Sequence, residues 1–297
     1  MALASAGTRT RGNNQLATSP LSVRRRRLSE ELRRLRVEAD LTHAEVAKRL
    51  EWSTGKVSNI ETGVSKKPSV HDIRGLLDVY GVREGPMREA LLELARKSRE
   101  RGWWTKFSDV VGEYPALEAD ASHISTYEPL LLPGLLQTPD YAALVTRASL
   151  VRDPVDIQRA VDARKQRQEI LTRSDPPAPE VWAVIDEAAL MRVESERGVY
   201  REQVQHLIDV AEEPNKVTLQ VLPMASGVHA GLRGPFVIMD FAGPLAGPVV
   251  FIETDMDGLY LEDDEEIDRY RRLLTHVQTA ALPEDASTRF LKGKIAA

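Results

Sequence analysis

Apolar positions in the first hundred residues recur at helical spacing, in short stretches separated by caps and turns. Leu28, Leu32 and Leu35 form one inward stripe, and Val46, Ala47 and Leu50 form a second. Val57 with Ile60, then Ile73, Leu76 and Leu77, then Met87, Leu91 and Leu94 supply three more. Caps fall where the stripes begin. Thr42 and Glu45 spell a capping box, in which hydroxyl and carboxylate each satisfy a backbone N–H left free at a helix start. Ser53 is a second N-cap three residues beyond Leu50, a gap that fits only a tight turn. Gly63 closes that helix, Ser69 with Asp72 opens the next, and the last runs from about Gly85 to Arg96.

Beyond Trp103 the pattern changes. Segments 181–185, 217–222, 235–241 and 249–253 are short apolar runs of strand type, and long amphipathic patterns at 155–173, 199–212 and 264–282 predict helices. The expected fold class is therefore α+β: an all-α five-helix domain, followed by a larger α+β domain around an antiparallel or mixed sheet. Residues 1–22, rich in Ala, Ser, Thr, Gly and Asn, are expected to be a disordered arm, because they hold too little apolar surface to order themselves. Residues 23–100 form the predicted DNA-binding domain and 101–297 the predicted regulatory or dimerisation domain.

Charge sharpens this division. Residues 1–106 carry 22 Lys+Arg against 13 Asp+Glu, a net of +9, and the remainder carries 18 against 32, a net of −14, within an overall −5. A basic front end on an acidic body suits a protein that sets one part on phosphates and holds the other away from them. The chain has no cysteine, which excludes disulfides, thiolate catalysis and Cys-ligated zinc. No apolar run reaches the roughly 18 residues of a membrane helix, and the start lacks an apolar signal core, so no membrane association and a cytoplasmic location are expected.

The outward face of the helix that begins after Ser53 is polar or small: Thr54, Gly55, Lys56, Ser58 and Asn59. An ordinary helical hairpin shares the amphipathic pattern, but this face lies in the most basic part of the chain. Residues 41–63, LTHAEVAKRLEWSTGKVSNIETG, resemble the Cro/repressor-type (XRE) helix-turn-helix. The chain is similar almost end to end to actinobacterial regulators of the WhiJ kind, through RGWW (101–104), LEADASHISTYEPLLLPGLLQTPDYA (117–142), RKQRQEILTR (164–173), DEAALMR (186–192), VLP (221–223) and GPFVIMDF (234–241).

The resemblance implies a transcription regulator that binds double-stranded DNA as a homodimer on a palindromic operator. It places the base-reading positions at Thr54, Gly55 and Asn59, where Asn59 suits adenine and Lys56 suits guanine or phosphate. His43 stands where the family commonly has glutamine beside the DNA backbone. Lys66, Lys67, Arg24 and Arg25 are further phosphate candidates. Arg36 and Glu61 occupy places that often form an ion pair beneath the reading helix, and Glu51 takes a turn position usually held by glycine. The resemblance also implies a neighbouring gene for a small partner protein.

The second domain speaks less clearly. Leucines in TYEPLLLPGLLQTPDYA are core candidates, while Glu128, Gln137 and Tyr141 beside them, with Trp104, are candidates for a partner or ligand groove. Glu253, Asp255, Asp257 and Asp264 echo a calcium loop, but the first and twelfth ligand types and the preceding strand depart from it, so no metal is expected. With no H-E-x-x-H, G-x-S-x-G, P-loop or G-x-G-x-x-G, the chain is not expected to be an enzyme or to hold a cofactor. The alternative is a small-molecule enzyme or ligand sensor fused to a DNA-binding domain.

Overall fold

The computed structural model describes residues 20–65, 68–99, 103–107, 114–213, 217–243, 245, 247–254 and 258–296. Helices α1 (Pro20–Glu38), α2 (His43–Leu50), α3 (Thr54–Glu61), α4 (Val70–Val79) and α5 (Pro86–Lys97) form the N-terminal region. Its core is the apolar set read from the sequence, with Leu28, Leu32, Val46, Val57, Ile73, Leu76 and Leu91 fully or almost fully buried. Truncating such a leucine to alanine typically costs about 2–5 kcal/mol. Helix α1 begins at Pro20, so Arg24, Arg25, Arg26 and Arg27 lie inside it. Most of the arm expected over 1–22 lies outside the described residues.

The second region begins with a short helix α6 (Tyr114–Glu118) and strand β1 (Ala121–Glu128). Helices α7 (Pro139–Ala148) and α8 (Pro154–Gln168) lead to β2 (Glu180–Asp186), and α9 (Glu187–Met191) with α10 (Arg197–Glu212) leads to β3 (Val217–Leu222). Strands β4 (Phe236–Phe241), β5 (Val249–Glu253) and β6 (Gly258–Leu261) follow, then α11 (Asp264–Ala280) and α12 (Glu284–Ala296). Among the described residues one six-stranded sheet has the order β3-β2-β1-β4-β5-β6. Its first three strands are parallel and joined by helical crossovers, as parallel pairing requires, and β4 to β6 are antiparallel. The region is thus α+β with a mixed sheet.

Side-chain alternation gives the sheet two covered faces. Ile124, Val181, Val237, Met239 and Val249 lie on the first with Leu117 of α6 and Ile170. On the same side Ala183, Ile185, Leu219 and Val221 pack with α7, α10 and Leu291 of α12. The opposite face, with Tyr127, Val184, Ile238 and Val250, meets Ile267, Leu274 and Val277 of α11. Tyr127 fits only because residue 231 is glycine: a Cβ there would sit 2.4 Å from the tyrosine ring.

Candidate nucleic-acid interface

Caps set the direction of the two helices of the turn. Thr42 and Glu45 make the reciprocal capping box, and Ser53 Oγ accepts the Lys56 N–H at 3.2 Å. The bonds from Thr42 hold the Glu45 carboxyl below its usual range. Between the helices Glu51 takes a left-handed backbone, φ 57°, the conformation for which glycine is the usual choice. Gly63, φ 72°, follows the end of α3 in the same conformation.

Beneath α3 lies a carboxylate that receives four hydrogen bonds. Arg36 Nε lies 2.8 and 3.0 Å from the two oxygens of Glu61, His43 Nε2 lies 3.0 Å from Oε2, and the Tyr80 hydroxyl donates to Oε1 at 2.5 Å. The Glu61 side chain is 1% exposed, and an ionised carboxylate only accepts, so the imidazole nitrogen facing it carries the proton. Burial together with that carboxylate pushes the Tyr80 hydroxyl far above its ordinary range. Arg36 also donates to Leu41 O, so α1, α2, α3 and the end of α4 meet at one charged node. The Arg36–Glu61 pair was legible in the sequence. The contributions of His43 and Tyr80 were not, since nothing local ties Tyr80 to a residue 19 positions earlier.

With its inner face fixed, α3 presents its expected outer face. Thr54, Gly55 and Asn59 are exposed, and neither the Thr54 nor the Asn59 side chain makes a hydrogen bond to any described residue. A Cβ at Gly55 would meet nothing within 4 Å. Ser58 is partly exposed beside them. Lys56 is held differently: its ammonium lies 2.6 Å from Asp72 Oδ1 and 3.7 Å from the Trp52 ring centroid. Burial raises the Asp72 carboxyl, but the bonds from Lys56 and Ser69 outweigh it and leave it below its usual range. His43 keeps its other ring edge towards solvent, 34% exposed. Lys66 and Lys67 lie outside the described residues.

The arginines of α1 are placed elsewhere. Arg24 is 4% exposed, and its guanidinium bonds Lys97 O at 3.1 Å, Ala116 O at 2.5 Å and Asp120 at 2.7 Å, so it has no surface to offer a phosphate. Arg26 and Arg27 share the Glu262 carboxylate, and Arg27 also donates to Pro248 O. Arg25 is partly buried, with its Nε unpartnered among the described residues. Arg24, Arg26 and Arg27 therefore dock the helical region on the sheet region.

In the sheet region the candidate groove residues hold the chain itself. Gln137 Nε2 donates to Leu132 O at 2.8 Å, its Oε1 accepts from Arg164 at 2.9 Å, and the Tyr141 hydroxyl accepts the Leu132 N–H at 3.1 Å. Both side chains are buried. Trp104 is 7% exposed and packs edge-on against Trp103. Glu128 stands at the end of β1, where burial and the nearby Glu253 push its carboxyl up to about 8. Burial, reinforced by Arg167, lowers Arg164 to about 10. Asp255 and Asp257 of the calcium-like stretch lie outside the described residues.

A capped helix-turn-helix with an open polar face places the chain in the class of helix-turn-helix DNA-binding regulators. Residues 27–91 match the family described as Helix-turn-helix domain. Residues 111–293 match the family described as Domain of unknown function (DUF5753). The chain belongs to the DUF5753 family, with the helix-turn-helix domain ahead of it. No curated protein and no solved structure matches it. Among the described residues no helix is long and apolar enough to cross a membrane.

Proposed function

We propose that the chain is a sequence-specific transcription regulator of the XRE type that seats α3 in the major groove of an operator. Its organisation is an arm over 1–22, a DNA-binding domain over 23–100 and a signal-receiving, dimerising domain over 101–297. A homodimer on a palindromic operator follows from the geometry of this class, in which two reading helices enter successive major grooves. The carrying observation is the outer face of α3: among the described residues the Thr54 and Asn59 side chains make no hydrogen bond and the space over Gly55 is open, on a helix held from below through Glu61.

Asn59 reads adenine, Thr54 and the open backbone at Gly55 approach neighbouring bases, and Ser58, Lys56 and the outer edge of His43 meet phosphate. Lys66, Lys67 and Arg25 extend the phosphate contacts. Lys56 reaches DNA only by exchanging Asp72 for a phosphate oxygen. The C-terminal domain reports a signal, carried by a small partner protein or a ligand, as in regulators of the WhiJ kind.

Operator binding by Asn59→Ala at fixed salt is the direct test. The expected loss is about 1–3 kcal/mol with relaxed preference at one operator position, and Lys56→Ala is expected to lower the salt slope by up to about one unit. Unchanged affinity in both variants would remove α3 from the interface.

A further inference from the structure

Helices α7 and α8, joined by the short turn 149–153, line a half-open cleft of about 510 Å3. That volume lies within the range of small-molecule sites. Its floor is apolar, formed by Ala143, Val151, Ile157 and Val161. Arg147 and Arg152 stand at the turn end, and Asp140 and Lys165 at the other. The helical rise puts residues 140 and 147 about 10 Å apart.

Charge decides what this shape accepts. The chain beyond residue 106 carries a net −14, yet the cleft is lined by three cations against one carboxylate. Arg147 and Lys165 have no acidic partner among the described residues, and Arg152 spends one nitrogen on Arg147 O at 2.8 Å. Unpaired cations over an apolar floor match an anionic head on an apolar body. Leu150, 78% exposed, continues the apolar surface from the turn.

We propose that the cleft between α7 and α8 binds a small anionic amphiphile, a carboxylate or phosphate head at Arg147 and Arg152 with its apolar body along Ala143, Ile157 and Val161. This rests on the reading of the C-terminal domain as the receiver of a signal. The placement of α8 suits that role. Just beyond Lys165, Arg167 holds both carboxylate oxygens of Glu118 in α6 at 2.8 Å. The carbonyl of Ala116 in α6 and the carboxylate of Asp120 grip Arg24 of α1. One wall of the cleft is therefore tied through two arginines to the DNA-binding region.

The test is a fluorescence titration of the full chain, without DNA, using 1-anilinonaphthalene-8-sulfonate as probe. One site per chain is expected, displaced by octanoate or octyl phosphate at least about tenfold more effectively than by octanol, the difference supplied by one charged contact. Ala143→Trp is expected to abolish probe binding by filling the floor. Should that variant not fold, Arg147→Glu, at an exposed position, is expected to weaken octanoate about tenfold or more and leave octanol unchanged. Equal displacement by octanoate and octanol overturns the proposal, as does undiminished probe binding in the variant that folds. Because no DNA is present, failure here leaves the operator reading standing, and loss of operator binding in Asn59→Ala leaves this one standing.

Discussion

Both regions of the molecule enclose a glutamate, and they treat it in opposite ways. In the helical region Glu61 receives four hydrogen bonds, two of them from the Arg36 guanidinium, and joins four elements at one point. In the sheet region Glu128 has Thr126 Oγ1 at 3.4 Å, and burial with Glu253 nearby pushes its carboxyl up. The first arrangement supplies donors to both carboxylate oxygens and ties α3 to α1, α2 and the end of α4. The second is comfortable only when protonated, at the start of the segment that runs from β1 to α7. The helical region thus spends donors on its buried carboxylate, while the end of central strand β1 keeps a polar cost.

The largest effect expected is from Glu61→Ala, which leaves the Arg36 cation and the Tyr80 hydroxyl inside without their acceptor. A loss of about 3–5 kcal/mol is expected in equilibrium urea unfolding, concentrated in the helical region. A loss below about 1 kcal/mol would break the contrast from its first side. Glu128→Gln should act the other way. Its folded carboxyl titrates near 8 against an ordinary 4.5, so the wild type is unpenalised below the lower value and loses stability as pH rises through the higher one. Unfolding free energies should therefore diverge in favour of the glutamine variant between those limits and run parallel above them, by up to about 5 kcal/mol. A difference that does not vary with pH would break the contrast from its second side.

Two smaller changes sharpen it. Glu262→Gln weakens the acceptor shared by Arg26 and Arg27, and about 1 kcal/mol of coupling is expected to disappear, seen as a wider separation of the two regions' calorimetric transitions. Coincident transitions in both proteins would show that the clamp does not couple the regions. Glu51→Gly relieves the left-handed turn and is expected to gain up to about 1 kcal/mol in the helical region with the sheet region unchanged. Destabilisation by this substitution would mean that Glu51 does more than occupy the turn.

What the sequence made legible follows the range of the interactions. Capping boxes, turn and apolar stripes of the helical region are set by neighbours three or four residues apart, and all appear where the pattern puts them. So does the open face of α3. Central strand β1 was missed, because ASHISTYE has little apolar content, and its strand character comes from pairing with β2 and β4 on either side. Helix α12 was missed too: its inward residues are few, with Leu291 fully buried. The arginine run was misplaced for the same physical reason, since the partners of Arg24 and Arg27 lie 96 and 235 residues away. The loop polar groups Gln137 and Tyr141 bond the backbone of Leu132 in their own loop, and Gln137 also accepts from Arg164 of α8.

The vacancy at Gly55 has an evolutionary consequence. Since nothing stands within 4 Å of a Cβ placed there, a library randomised at this codon should yield folded chains in nearly every member. If α3 reads DNA as proposed, selection on it would sample DNA preference without first filtering for stability. A lineage carrying this scaffold would then shift its targets by single-codon steps, and a duplicated copy would diverge from its parent while the packing behind α3 stays unchanged.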